Sequence, residues 1–322
     1  MFLALKYFAF LCKAKSYERL LIISFFIHTI CGLGKITDLK AAEANSKTKV
    51  AEKVVEPQCL PEHKAAINSY LLNSKKGEQR SLVYAEQPFQ SGELSEYEMR
   101  YYGVLVGYGI LEVRPPRKHK GKWVRVFTAS GKTGEWYNNI FQADDGIEAL
   151  SNADNFAIEK FYLRQDEGKI FGKRYQREKW LDFDHINCKV LEKNLVLSKS
   201  KEPEINSLFM LPGDIDALSV AFWLRTRAYT LGKVETAPVY TSGQSWLLEA
   251  KPVKNEEIKV PAGAFKTVQL ELKTYLGKEL QQRGKVLIWI ATEHVSRPIV
   301  KIEGEIKIGS VLMELKSFKA GK

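Results

Sequence analysis

Residues 212–229 read Pro-Gly-Asp-Ile-Asp-Ala-Leu-Ser-Val-Ala-Phe-Trp-Leu-Arg-Thr-Arg-Ala-Tyr. Asp214 or Asp216 can accept hydrogen bonds from the orphan amides of a helix start, and Ala217, Leu218, Val220, Ala221, Phe222, Trp223 and Leu224 are apolar around nearly the whole circumference. Such a helix must be enclosed by protein, because it is shorter than the ~20 apolar residues that cross a bilayer. Taken alone, the stretch fits either a short core helix of a mixed fold or a helix plugging a large curved antiparallel sheet. The flanking segments favour the sheet.

Downstream, residues 233–240 and 245–251 read as strands. Val260-Pro261-Ala262-Gly263 turns one strand into the next, where Val268, Leu270, Leu272 and Thr274 alternate with Gln269, Glu271 and Lys273. Residues 286–291 are apolar throughout, and strands over 299–308 and 311–318 follow. Upstream the period is also two. Tyr97, Met99 and Tyr101 alternate with Glu96, Glu98 and Arg100, and further strands are expected over 104–113, 123–127, 136–141 and 156–164. Asp144-Asp145-Gly146 reads as a turn. Asp166-Glu167-Gly168 reads as another, pairing 156–164 with 169–183 as a hairpin that has no purely apolar face. The fold class is therefore all-β: a large curved antiparallel sheet with one buried helix at about 214–226 and a short N-terminal helix within 61–75.

The chain has 322 residues, a formal charge of +11, and 45% hydrophobic residues, ample for a core. Its simplest division is a leader over 1–44, a linker with the short helix over 45–91, and one all-β domain over 92–322. Lys6, Lys13, Lys15 and Arg19 precede an apolar run over 20–30, and Ala42-Glu43-Ala44 offers small residues at a cleavage site. This order is that of a secretory signal, with an uncleaved inner-membrane anchor as the alternative. Removing the leader takes away Cys12 and Cys31. Cys59 and Cys188 remain, and in an oxidising compartment they are expected to pair, the alternative being two unrelated buried thiols.

Several of these segments resemble one family. Gly92-Glu93-Leu94, the strand pair over 97–109, Asp216-Ala217-Leu218-Ser219 with Leu224-Arg225, residues 260–265, and Ile288-Trp289-Ile290 with Arg297-Pro298-Ile299 are similar in kind and order to the bacterial domain-of-unknown-function 3108 family. The resemblance covers about 92–315. It implies an exported protein of a Gram-negative envelope with a barrel-like or spiral sheet, broadly similar to envelope proteins that carry lipidated cargo. It supplies no catalytic residues, and His294 stands where the family often has Asp.

No phosphate loop, nucleophile elbow, zinc-protease motif or paired-cysteine cluster is present in the sequence, so no enzyme, cofactor or metal is expected. Asp182, Asp184 and His185 do not converge, because strand alternation puts His185 on the other face. The distinctive candidate is the basic loop Arg114-Pro115-Pro116-Arg117-Lys118-His119-Lys120-Gly121-Lys122 followed by Trp123. It can gather headgroup phosphates at the mouth of the sheet, or simply be a solvated hairpin tip. Lys173, Arg174, Arg177 and Lys179 extend the patch if the two hairpins are neighbours. Two functions follow. In one, the sheet binds an apolar or lipid-like ligand, an anionic amphiphile, through Arg114, Arg117, Lys118, Lys120, Lys122, Trp123, Phe222, Trp223 and Arg225. In the other, the protein is a structural or interaction module that docks an envelope protein. Membrane contact is expected only through the leader or the basic loop, and nucleic acid is not an expected partner. An open apolar groove favours the first function; a filled interior favours the second.

Overall fold

The computed structural model describes residues 87–135, 141–168, 174–276, 279–280, 285–305 and 309–322. The leader, the linker helix, Cys59, Trp136 and Lys173 lie outside them. Sixteen strands form one sheet. Its first arm is a meander of β1 (Leu94–Tyr101), β2 (Val104–His119), β3 (Lys122–Thr133), β4 (Gln142–Asn152), β5 (Ile158–Gly168), β6 (Tyr175–Asp184), β7 (Lys189–Val196) and β8 (Glu204–Phe209). A two-residue strand β9 (Ile215–Asp216) then leads into helix α1 (Ala217–Arg225). The second arm runs back through β10 (Glu235–Thr241), β11 (Gln244–Val260), β12 (Gly263–Leu276), the short β13 (Glu279–Leu280), β14 (Val286–Ala291), β15 (Ile299–Glu305) and β16 (Ser310–Lys319). Antiparallel pairing of β1 with β16 joins the two arms, and the chain passes from one open end of the sheet to the other through α1.

Alternation supplies the core. Tyr97, Met99, Leu111, Phe127, Ile147, Phe161, Leu270, Leu272, Ile288, Ile302 and Leu315 are buried with α1, while their strand neighbours face outward. Among the described residues, the sheet ends approach without a strand ladder between them. Phe183 of β6 meets the ring of Tyr240 of β10 edge-on at 5.1 Å, and the Leu211 amide donates to Ser245 Oγ at 3.0 Å. This is one large curved, open sheet around an internal helix, as the strand pattern led one to expect.

Two expected turns are instead strand. Asp144, Asp145 and Gly146 lie inside β4, where Arg164 of β5 donates to Asp144 at 2.8 Å and the Asp166 amide donates to Asp145 at 2.9 Å. These cross-strand partners outweigh the local turn preference. Asp166, Glu167 and Gly168 likewise end β5, with Arg174 gripping Asp166 through two bonds of 2.6 and 2.5 Å, although the β5–β6 pairing itself is as expected. Strands β7 and β8 had no counterpart in the sequence reading.

Candidate functional site

Helix α1 is held differently at its two ends. At the start, Asp216 is extended and its Oδ1 accepts from the amides of Leu218 and Ser219, both at 2.9 Å, so it is the cap. Asp214 serves the preceding loop: its Oδ2 accepts from the Leu211 amide at 2.9 Å and from the Ser245 hydroxyl. Burial raises the affinity of both carboxyls for a proton, and Asp214 is pushed up to about 7. Between the ends, Phe222 stacks on Phe127 with ring centroids 4.0 Å apart and meets Phe89 edge-on at 5.4 Å.

At the other end Arg225 is only 3% exposed. Its guanidinium donates to both oxygens of Glu93 at 2.7 and 2.8 Å and to the carbonyls of Ser296 and Arg297 at 2.6 and 3.0 Å. One side chain thus ties the helix to the segment before β1 and to the β14–β15 turn. Arg227 lies 5.4 Å from the centroid of the Trp223 ring and pairs with Glu235 at 2.9 Å. Phe222, Trp223 and Arg225, expected as ligand contacts, are core and ion-pair residues here.

The basic loop is the tip of the β2–β3 hairpin, and three of its five Arg and Lys side chains are already paired. Arg114 meets Glu112 at 3.1 Å, Arg117 meets Glu148 at 2.5 Å, and Lys120 pairs with Asp182. Lys118 lies over the Trp123 ring at 5.7 Å, and that ring is 58% exposed. Lys122 is exposed beside it. Trp123 shares the strand face of Arg125 and Phe127, so it stands at the rim of the interior. Inside that rim lie buried side chains. The Arg125 guanidinium covers Phe156 at 4.6 Å and Phe89 at 5.9 Å, and the cleft between Arg114, Pro116, Arg125 and Ser91 measures about 20 Å3, room for a single water. The tip residues thus stand at the rim, and Phe222, Trp223 and Arg225 are buried in the interior.

The Lys120–Asp182 pair does make the two hairpins neighbours, but the basic patch is not extended by it. Arg177 and Lys179 share the inward face of Leu181 and Phe183, where Lys179 pairs with Glu192 and Arg177 donates to Asn194 at 2.7 Å, and Arg174 is bound by Asp166. Burial lowers the affinity of Lys179 for its proton. This polar interior row was not foreseen, since its carboxylate comes from an unanticipated strand. Asp184 accepts from the amides of Ile186 and Asn187 in the β6–β7 turn, and His185 Nε2 lies 2.6 Å from the Ile158 carbonyl oxygen. Cys188 in the same turn is buried and disulfide-bonded.

A model described as a protein of unknown function, DUF3108, matches residues 96–316. The chain belongs to the DUF3108 family. The match spans β1 through most of β16 and contains α1 and the Arg297-Pro298 turn, so the features that tie the helix to the sheet fall within the DUF3108 region. No curated protein matches the chain. Among solved structures, a beta-barrel-like DUF1849 protein from Brucella abortus is similar at 8% identity and a TM-score of 0.48, covering 73% of this chain and 99% of its own. A candidate exported protein with a YmcC-like fold from Bacteroides fragilis is similar at 13% identity and a TM-score of 0.33, covering 72% and 98%. A candidate lipoprotein from Parabacteroides distasonis follows at 11% identity and 0.32, covering 73% and 99%. Likenesses this distant transfer no function.

Proposed function

We propose that this DUF3108 protein is an exported component of a Gram-negative envelope, facing the periplasm, that acts by contact rather than by catalysis. The observation behind this reading is the contrast between a filled interior and an exposed tip. Phe89, Phe127, Phe156 and Phe222 pack against one another where an interior ligand would have to sit, whereas Trp123, Lys118 and Lys122 face solvent. The tip is the contact surface, and an anionic lipid headgroup layer is its partner. An indole enters the interfacial zone readily, and each lysine near an anionic surface adds about 1 kcal/mol of attraction. A bonded Cys188 fits an oxidising compartment, with Cys59 as the partner that the sequence offers outside the leader.

Co-sedimentation of the purified protein with vesicles tests the contact. Binding to phosphatidylglycerol vesicles that weakens with salt, fails on phosphatidylcholine and is lost in the Trp123→Ala, Lys118→Ala double variant is the expected result. Native mass spectrometry tests the interior. Co-purified acyl lipid that disappears on Phe222→Asp in a folded protein would overturn the reading in favour of an interior ligand.

A further inference from the structure

The C-terminal end of α1 holds three guanidinium groups and only two carboxylates. Arg225 is matched by Glu93 and Arg227 by Glu235. Arg297 has no carboxylate within ion-pair reach among the described residues. It is half-buried, its Nε is sealed from solvent without an acceptor, and its guanidinium lies 5.9 Å from the centroid of the Tyr229 ring. The Tyr229 hydroxyl donates to the Leu224 carbonyl at 2.8 Å, which fixes the ring at the helix end.

The backbone holds Arg297 in this place at some cost. Its φ is 45°, in the left-handed region that a branched or long side chain seldom adopts. The turn is fixed from several sides. The Arg297 amide donates to the His294 carbonyl at 2.9 Å, the Ser296 amide to His294 Nδ1 at 3.1 Å, and Arg225 grips the carbonyls of Ser296 and Arg297 from inside. Burial, together with the nearby Arg225 charge, lowers the affinity of Arg297 for its proton, which is the direction expected of a cation that lacks a counter-ion. A guanidinium is almost never neutral, and no described residue supplies its counter-charge. Beside it Val295 is 91% exposed, His294 meets the Phe318 ring edge-on at 5.1 Å, and the turn's carboxylate, Glu293, is paired with Lys266.

We infer that Arg297 receives an oxyanion, a carboxylate or a phosphate carried on an apolar stem, at the β14–β15 turn. The fork of its N–H donors fits either head, and Val295 offers the stem a surface. This site uses none of the tip residues, so it stands or falls separately from the membrane contact.

Isothermal titration of the full chain with decanoate, decyl phosphate and inorganic phosphate tests it. The expected result is saturable binding of at least one decyl probe, at least tenfold weaker in Arg297→Met and weakened in Arg297→Lys, which keeps the charge but loses the fork. Lys118→Ala binds as the wild type does. Decanoate alone identifies a carboxylate, and decyl phosphate alone a phosphate ester. Without probe, Arg297→Met melts no lower than the wild type, since it removes an uncompensated charge. Equal binding by wild type and Arg297→Met overturns the inference, as does the absence of saturable binding by every probe. Inorganic phosphate binding as tightly as decyl phosphate removes the apolar stem from it.

Discussion

The two ends of helix α1 carry opposite charges in opposite ways. At the N-terminal end, Asp214 and Asp216 are buried without a cation among the described residues; one oxygen of each accepts from amides or a hydroxyl, and the other has no partner. At the C-terminal end, Arg225 is equally buried but carries a full counter-ion and two carbonyls. The helix dipole favours both arrangements, yet it is worth only about 0.3–2 kcal/mol, less than the cost of burying a charge. A carboxyl escapes that cost by taking up a proton near neutrality, whereas a guanidinium cannot shed one. The basic end therefore needs a partner from elsewhere in the chain, and the acidic end does not.

Removing that partner is the severest way to break the comparison. Glu93→Gln leaves Arg225 buried with its charge uncompensated, and a loss of about 3–5 kcal/mol in urea unfolding is expected. The Glu93→Gln, Arg225→Met double variant recovers much of it, and a double variant as unstable as the sum of its parts would show the pair to be uncoupled. Next in size is the acidic end, read through pH. Folding raises the Asp214 proton affinity from the ordinary carboxylate range to about 7, so the folded state holds a proton that the unfolded state has released. Its contribution is complete below about pH 4 and is lost as pH rises through about 7, a difference of about 2–4 kcal/mol. Asp214→Asn keeps an oxygen acceptor and should flatten that slope. Melting curves from pH 5 to 8 that fall equally in both proteins would contradict this assignment.

Asp216→Ala removes the cap and leaves the Leu218 and Ser219 amides without their acceptor, a cost of about 1–2 kcal/mol by denaturant titration, smaller than either effect above. The hairpin tip, far from both buried ends in its energetics, gives the smallest change. Trp123→Ala should alter stability by no more than about 0.5 kcal/mol, because the ring is mostly in solvent. A larger loss there would make the tip structural and weaken its role as a contact surface.

The helix was legible from residues 212–229 because its apolar run left no solvent face and two aspartates preceded it. Sequence could not choose between those aspartates. Asp216 caps, and Asp214 is drawn off by Ser245, 31 residues away. The alternating faces of β1, β12 and β16 were legible for the same local reason. What escaped was set by distant partners. Asp144 and Asp145 have turn chemistry, but Arg164 and the Asp166 backbone hold them in a strand. Phe222 and Arg225 were legible as helix residues, but their partners Phe127 and Glu93 were not, because these lie 95 and 132 positions away. Lys179 looked like a surface cation until β7 supplied Glu192. Arg297 was visible only as part of an Arg-Pro pair, and its lack of a partner is a property of three dimensions.

The seam between β1 and β16 has a consequence for how the molecule is made. Every other antiparallel pairing in the sheet joins strands next or nearly next to each other in sequence, but Tyr97 must find Leu315. Ordering that contact means closing a loop of more than two hundred residues, among the slowest events a chain of this size faces. On a ribosome the first strand emerges long before its neighbour exists. The inner edge of the first arm stays open until β16 has been made, so the two arms remain unjoined, and the chain threadable, all the while that the strands between them are being added.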